Sequence, residues 1–507
     1  GAEHYAGTGL AHAYASEDLA EVQRILGRQY HAVVGNPPYI VVKDAALNAA
    51  YRQRYASCHM KYSLGAPFTE RFFDLALTGN GRPAGFVGLI TANSFMKREF
   101  GSKLIEEVLP RFDLTHVIDT AGAYIPGHGT PTVVLFGRHR GPVGDGVRAV
   151  MGIKGEPSTP DDPARGQVWS AIVAQIDRAG SESEFVSVTD MPRATFATHP
   201  WSIGGGGASE LLEHLNESAA ASLGSLIDVI GCSTHTGEDN VFFVPPDWTK
   251  RKGLSNVAVG LVEGEWIRDF QLEAQLQSLF PYDQSTCQVL DALPRQLEQH
   301  FWTYRRTLKE RRDFGNYIED RGLRWYEHSM FFPERFKARS GIAFAFVATH
   351  NHFVLDRGGK VFNRSAPVIK LPAGASEEEH LGQLGLLNSS VACFWMKQIF
   401  HNKGSTVDQH GARQRTDAFE DFYEYTSTGL KDFPLTAQRP IELGRRLDTL
   451  ASMLAATLPA ALLEAAVTNT ALPGRVALDA ARARAASLRA QMIALQEELD
   501  WQCYGLY

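Results

Sequence analysis

No run in this 507-residue chain approaches the ~18 apolar residues of a membrane span, and its first residues carry no secretory pattern. The expectation is a cytoplasmic protein without a membrane partner. Its five cysteines, Cys58, Cys232, Cys287, Cys393 and Cys503, form no Cys-x-x-Cys pair, which excludes a disulfide framework and a zinc site and leaves no metal expected. An excess of basic charge is also missing, since 50 Lys and Arg stand against 57 Asp and Glu for a formal net charge of −7. A nucleic-acid partner would therefore have to meet a local basic face. No nuclease constellation is apparent: Pro160-Asp161 and Glu334-x-x-Lys337 lie far apart and flank a domain boundary. The length allows two to four domains.

What the chain does have is Gly35-Asn36-Pro37-Pro38-Tyr39, directly after the apolar run His31 to Val34. The residue types suit methyl transfer to a planar amino group. An exocyclic adenine amine is a poor nucleophile because its lone pair is delocalised into the ring. An enzyme helps by accepting its two hydrogens and drawing the nitrogen towards tetrahedral geometry. The Asn36 side-chain oxygen and the Pro37 carbonyl supply two acceptors, and Pro37 and Pro38 cannot donate and stiffen the loop. Tyr39 offers a flat face for a base that has left the duplex. The bland alternative is a proline-rich turn after a strand, for which Asn and Pro are ordinary choices.

The context is an α/β fold, and residues 30 to 140 read as the second half of a parallel sheet. Tyr30 to Val34 reads as a buried strand, Pro67 to Thr78 as a short helix, and Phe86 to Ile90 as the next strand. Phe100, Leu104, Ile105 and Val108 have the spacing of a helix packing on a sheet, ended by Pro110. Thr115 to Asp119 and Thr132 to Phe136 follow as strands, separated by the loop Gly122 to Gly129. In open α/β sheets ligands bind beyond the carboxyl ends of strands. Asn36 to Tyr39, Thr91 to Phe95 and the loop around Tyr124 are expected there.

These residues resemble the gamma-class, TaqI-like adenine-specific DNA methyltransferases, whose signature is an Asn-Pro-Pro-Tyr loop after the fourth strand. With Thr91-Ala-Asn-Ser-Phe95, Lys97-Arg98-Glu99-Phe100-Gly101, His116-Val-Ile-Asp119 and Gly122 to Thr132, the resemblance is closest to the PglX-type methyltransferases of the BREX/Pgl phage-defence systems. It implies the C-terminal half of a class I, Rossmann-like methyltransferase sheet, with S-adenosylmethionine as cofactor and double-stranded DNA as partner. Other defence subunits or phage inhibitor proteins are further implied partners. Asn36, Pro37 and Pro38 would be catalytic, and Tyr39 would stack on the flipped adenine. TaqI-like enzymes often place a second aromatic just before the proline of the later loop. Here Ile125 holds that place with Tyr124 one residue earlier, so both are candidates for the base's other face. The resemblance also implies a donor-binding glycine-rich turn after the first strand. Gly7-Thr8-Gly9 does not fit, because Gly9 precedes Asn36 by less than one ~30-residue βαβ unit. The expectation is that the donor-binding half lies upstream of residue 1 and that the chain is an interior piece of a larger protein.

Residues 1–200 are thus read as part of the catalytic domain, 201–210 as a glycine-rich linker around Gly204 to Gly207, 211–439 as an α+β DNA target-recognition domain, and 440–507 as a helical hairpin. Ile230 to Gly237, Trp325-Tyr326 and Leu387-Asn388-Ser389 resemble, in order, elements of the recognition domains of TaqI-like and type IIG enzymes. Between Trp302 and Arg339 ten Lys or Arg face six acids, interleaved with Trp302, Tyr304, Trp325 and Tyr326. That makes Arg305, Arg306, Arg311 and Arg312 candidates for tracking phosphates; the plain alternative is a solvated helix face laced with ion pairs. Lys403, Arg413 and Arg415, in a polar loop, are further DNA-binding candidates. In the last segment Leu443, Leu447, Leu450 and Leu454 mark one apolar stripe and Leu488, Met492, Leu495 and Leu499 another, with a kink expected at Pro459.

Other readings remain. Asn-Pro-Pro-Tyr also serves enzymes acting on glutamine side chains or RNA, but those do not need so long a recognition-like stretch. The chain is also compatible with the modification half of a type IIG restriction-modification enzyme, or with a non-catalytic DNA- or partner-binding portion of a defence complex.

Overall fold

The computed structural model describes residues 19–507 apart from 80, 82, 127–128, 274, 338–339, 405–420 and 470–471. The chain divides into two units, residues 1–210 with 401–421, and residues 211–400 with 422–507.

The first unit is α/β. Its sheet comprises β1 (Ala32–Gly35), β2 (Phe86–Ala92), β3 (Asp113–Asp119), β4 (Thr132–Arg138), β5 (Gly146–Gly152) and β6 (Val186–Pro192), in the order β1-β2-β4-β3-β5-β6. The expected parallel sheet is in fact mixed. β1 pairs parallel with β2 and β3 with β5, whereas β4 runs antiparallel to both neighbours and β6 to β5. The reason lies in residues 120–131, which return the chain to the edge where β3 ends. A strand entered from that edge must run back, since a parallel strand would need a crossover to the opposite edge.

One face of the sheet carries α1 (Gly65–Leu75) and the helical stretch after β2, around a core that includes Phe73, Val87, Leu89, Phe95, Leu104, Ile105, Val117 and Leu135. The predicted helix over 97–109 is broken into turns. Glu99–Gly101 and Leu109–Arg111 are 3₁₀, and Leu104–Val108 is a π turn in which the Leu109 N–H reaches back to the Leu104 carbonyl. Phe100, Leu104, Ile105 and Val108 are nonetheless all buried. Apolar spacing specifies the buried face, not the hydrogen-bond register, and Pro110, lacking an N–H, cannot continue an α-helix. On the other face α2 (Gln167–Gln175) packs over Ile118, Val150, Val186 and Val188. β1, read from sequence as a buried strand, is instead a half-open edge strand that begins at Ala32. Val34 is 76% exposed, because among the described residues nothing lies on its outer side.

The glycine run is a packed passage. Gly204 bridges Gly152, and the Gly205 N–H donates to the Gly152 carbonyl at 3.2 Å. A Cβ on Gly205 would lie 2.7 Å from Ser187 Oγ, so glycine serves close approach here as well as flexibility.

The second unit holds two four-stranded sheets. β7 (Val229–Gly231), β8 (Phe243–Val244), β9 (Ala258–Val262), β10 (Leu276–Leu279), β13 (Gly341–Phe344), β14 (Phe353–Asp356), β15 (Lys360–Phe362) and β16 (Val368–Lys370) form the orders β8-β10-β9-β15 and β14-β13-β16-β7. A separate hairpin joins β11 (Arg312–Asp313) to β12 (Asn316–Tyr317). The strands around Ile230 and Val241 to Val244, adjacent in sequence, belong to different sheets. Helices α3 (Arg295–Thr303) and α4 (Arg305–Glu310) precede the hairpin. α5 (Glu377–Leu387) and α6 (Ser390–Ile399) follow the sheets, and α7 (Ile441–Ala455), α8 (Pro459–Asn469) and α9 (Arg475–Leu506) close the chain. α7 and α9 share a core with β13, β14, β16 and α5 through Leu447, Ala451, Leu499 and Cys503. Pro459 opens a new helix instead of kinking one, as suits a residue that fits a first helical turn. No single helix among the described residues is long and apolar enough to cross a membrane.

His328 lies at the heart of this unit. Its Nε2 is 3.1 Å from the Leu279 carbonyl and its Nδ1 is 2.6 Å from Thr234 Oγ1. A carbonyl only accepts, so Nε2 carries the proton and Nδ1 accepts from the threonine hydroxyl. Burial among Phe242, Phe280 and Tyr282 pushes its pKa down from 6.5 to about 3. Between those values the unfolded chain binds the extra proton, so the His328 contribution to stability is complete above pH 6.5. It declines as pH falls towards 3, by about 1.4 kcal/mol per unit. Thermal unfolding at pH 7 and pH 5 should show a smaller acid loss in His328→Gln; equal losses would contradict this account.

Candidate active site

Three loops leave one edge of the first unit's sheet. In register, Gly35 lies opposite Leu89, while Thr91 and Asp119 both lie opposite Val133. The carboxyl ends of β1, β2 and β3 therefore face the same way, and Asn36 to Tyr39, Thr91 to Met96 and Thr120 to Ile125 start side by side. This is the edge where an α/β sheet presents ligands to its loops.

The first loop is firmly held. Gly35 passes over the Phe72 ring so closely that a Cβ would lie 2.7 Å from it. Further along, the Leu64 N–H donates to the Ile40 carbonyl at 2.8 Å, and Val41 bridges Ser63. Between these anchors Asn36 and Pro38 are exposed, Pro37 is buried and Tyr39 is half-buried. Partial burial raises the Tyr39 phenol pKa, keeping the ring neutral at ordinary pH. The Asn36 amide therefore faces solvent from a stiff backbone.

The second and third loops are tied together. The Asn93 N–H donates to the Pro131 carbonyl at 3.0 Å, and Thr120 Oγ1 and Thr132 Oγ1 are 2.7 Å apart in the core. Asp119 accepts from the Ala121 N–H at 2.8 Å and starts the turn that carries Tyr124 and Ile125, both half-buried. Lys97 was not singled out by the sequence as a site residue. Burial pushes its pKa down to about 8, with Asp119 pulling it back up. The only hint in the sequence is a lysine close to the apolar run Phe95-Met96. His401, in the segment His401–Gly404 that groups with this unit, is driven down to about 3 by burial and then by Arg98, Lys97 and Lys403. Lys403 is exposed; Arg413 and Arg415 lie outside the described residues.

The remaining cationic candidates belong to the second unit. Arg305 is exposed and stacks over Trp302 at 4.7 Å and Trp325 at 5.9 Å. Arg306 is exposed and pairs with Glu310 at 2.9 Å, while Arg312 lies over the Tyr317 ring at 4.1 Å. Arg311 is a correction. It is 5% exposed and uses four of its five N–H groups on the carbonyls of Leu308 (2.9 Å), Trp325 (2.7 Å), Glu327 (2.8 Å) and Thr236, so it is buried away from any phosphate. Arg339 lies outside the described residues. Single residues of the recognition-like motifs also brace the backbone. Arg311 joins Thr236 to the Trp325 backbone, and Asn388 pairs with both backbone groups of Phe353 at 2.9 Å.

Residues 11–125, which carry the first two loops and the start of the third, match the model of the Eco57I restriction-modification methylase family. The class of protein that this edge resembles is thus a restriction-modification methylase. The particular relative is the adenine-specific methyltransferase PglX of Streptomyces coelicolor, 47% identical over 511 residues, which span 97% of this chain and 41% of that protein. The type II methyltransferase M.PaeR7I of Pseudomonas aeruginosa is 26% identical over 219 residues, 42% of this chain and 35% of the relative. The resemblance read from Asn36 to Tyr39 and the downstream loops therefore holds, and the chain spans less than half the length of these relatives. In structure, the type IIL restriction-modification enzyme MmeI, solved in complex with DNA, shares the fold with a TM-score of 0.52 at 12% identity, covering 97% of this chain and 59% of that one.

Proposed function

We propose that this chain is the part of an adenine-specific DNA methyltransferase that receives the target base and the duplex around it. The observation that carries the reading is the anchored loop Asn36-Pro37-Pro38-Tyr39 on the shared strand edge, within a chain 47% identical to PglX. On this reading the chain comprises the C-terminal half of a class I methyltransferase sheet, an α+β target-recognition domain and a helical C-terminal segment.

In the mechanism, the flipped adenine enters the edge between the first and third loops. Asn36 Oδ1 and the Pro37 carbonyl accept the two amine hydrogens, which turns the nitrogen lone pair out of the ring plane towards the incoming methyl group. The backbone that carries both acceptors is held before substrate arrives, which limits the reorganisation of the loop during the reaction. Tyr39 stacks on one face of the base, and Tyr124 or Ile125 closes the other. S-adenosylmethionine supplies an electrophilic methyl carbon when bound. Among the described residues of these three loops there is no glycine-rich turn after a first strand to hold it; on this reading the loops furnish the acceptor side of the reaction. Arg305, Arg306, Arg312 and Lys403 would follow the phosphate backbone. A place in anti-phage defence, with other defence subunits or phage inhibitors as partners, rests on the likeness to PglX alone.

Incubating the full-length protein with duplex DNA and tritiated S-adenosylmethionine should put label on the exocyclic amine of adenine, detected after nucleoside digestion. Label confined to RNA or to glutamine side chains, or no label at all, would overturn the reading.

A further inference from the structure

The hairpin β11–β12 turns through Phe314 and Gly315, and both have left-handed backbones, with φ of 51° and 86°. Two positive φ values in a two-residue loop describe the mirror-image turn that hairpins favour, for which Asn-Gly is the undemanding choice. Phe314 has no such ease. It is a bulky residue in a region that penalises a Cβ, and its side chain is 84% exposed. Strain of this sort persists only where the surroundings impose it.

The surroundings do so here. Asp313 accepts from Arg321 at 2.9 Å, and Arg321 also donates to the Ser329 carbonyl at 2.8 Å. Ile318, just after β12, is fully buried, and Lys309 pairs with Glu319 at 3.0 Å. The hairpin is therefore a rigid arm with one aromatic ring at its tip. At its base stand Arg312 and Tyr317, and the adjoining helices expose Arg305, Arg306 and Trp302.

Resting on the reading above, we propose that Phe314 is a wedge that enters the base stack of the duplex, a positioning residue that helps extrude the target nucleotide. A stable protein partner would cover about 800 Å² on this side, far more than the tip of a two-residue turn presents. A projecting ring on an arm with Arg312 at its base and Arg305 and Arg306 exposed on the adjoining helix matches instead the gap between two base pairs flanked by phosphates, where apolar side chains unstack a step and kink the helix.

Asparagine tolerates the left-handed backbone, so Phe314→Asn removes the ring without costing the fold; a role in folding alone would make the wild-type residue the more stable one. The test uses full-length protein and a duplex carrying the sequence it is found to methylate in chromosomal DNA. Phe314→Asn should melt at or above the wild-type temperature and methylate with kcat/KM reduced roughly tenfold to a hundredfold, the equivalent of one aromatic–base stack. Phe314→Trp should retain most activity. An abasic gap at the insertion step should restore the Asn variant, and 2-aminopurine scanned along the duplex should locate that step through a fluorescence change seen with Phe and absent with Asn. Wild-type kinetics in Phe314→Asn, or a loss that no abasic position rescues, would overturn the wedge. If wild-type protein methylates no DNA, the underlying reading fails first and the wedge falls with it.

Discussion

Replacing Asn36 by Ala in the full-length protein should lower methyl transfer to adenine by about 10²–10³, the usual cost of removing one fixed polar group that meets a transition state. The affinity for duplex DNA should stay close to wild type. The argument rests on the position of Asn36: its amide is exposed, and its backbone is held between Gly35, pressed on Phe72, and the buried Pro37. Asn36 contributes nothing to the core, so its loss should not unfold the sheet. Asn36→Asp keeps an acceptor oxygen and should fall less far than Asn36→Ala. Tritium transfer measures the rate and fluorescence anisotropy of labelled duplex measures binding. Wild-type turnover in Asn36→Ala would remove the residue from the chemistry, and a parallel collapse of affinity would make it a DNA contact.

The arginines of the second unit should separate into two kinds. Arg311→Met should destabilise the protein by about 3–5 kcal/mol, because of the four carbonyls it joins those of Leu308, Trp325 and Glu327 lose this donor while Thr236 keeps Ser329, at about 1–3 kcal/mol for each buried acceptor left unsatisfied. Urea unfolding followed by tryptophan fluorescence would register this through Trp325, whose carbonyl is one of the four. Replacing Arg305, Arg306 and Arg312 together by Ala should leave stability nearly unchanged, since all three are exposed. It should weaken specific and random duplexes alike. For every phosphate that the variant no longer neutralises, the slope of log affinity against log salt should flatten by about 0.9. An unaltered slope would end the phosphate-tracking assignment, and a stable Arg311→Met would contradict the bracing role.

These predictions also mark how far the sequence can be read. The three loops are legible because β1, β2 and β3 are apolar runs with turn-forming residues at their ends, and residues at the carboxyl ends of co-directional strands face one edge whatever the pairing order. The antiparallel insertion of β4 is not legible, because its apolar run looks the same in either direction. The exposure of β1 escapes the sequence for a related reason: alternation shows which side chains share a face, but not whether anything covers it. The Gly204 to Gly207 run has the composition of a tether, and only its bridge to Gly152 makes it a packed passage.

Arg305, Arg306, Arg311 and Arg312 show the division most plainly. By itself the sequence determined that cations and aromatics crowd this stretch, that Asn36 and Pro37 supply acceptors, and that the first unit is α/β, since all three follow from residue chemistry and local periodicity. It could not determine which arginine points inward. Arg311 is buried because the turn after α4 brings it beneath Thr236 and Trp325, residues 75 and 14 positions away in the chain whose carbonyls accept from its guanidinium. Likewise Lys97 has its lowered pKa only because tertiary packing buries it beside Asp119. Burial and electrostatic environment depend on neighbours distant in sequence, so they were decided by the tertiary structure alone.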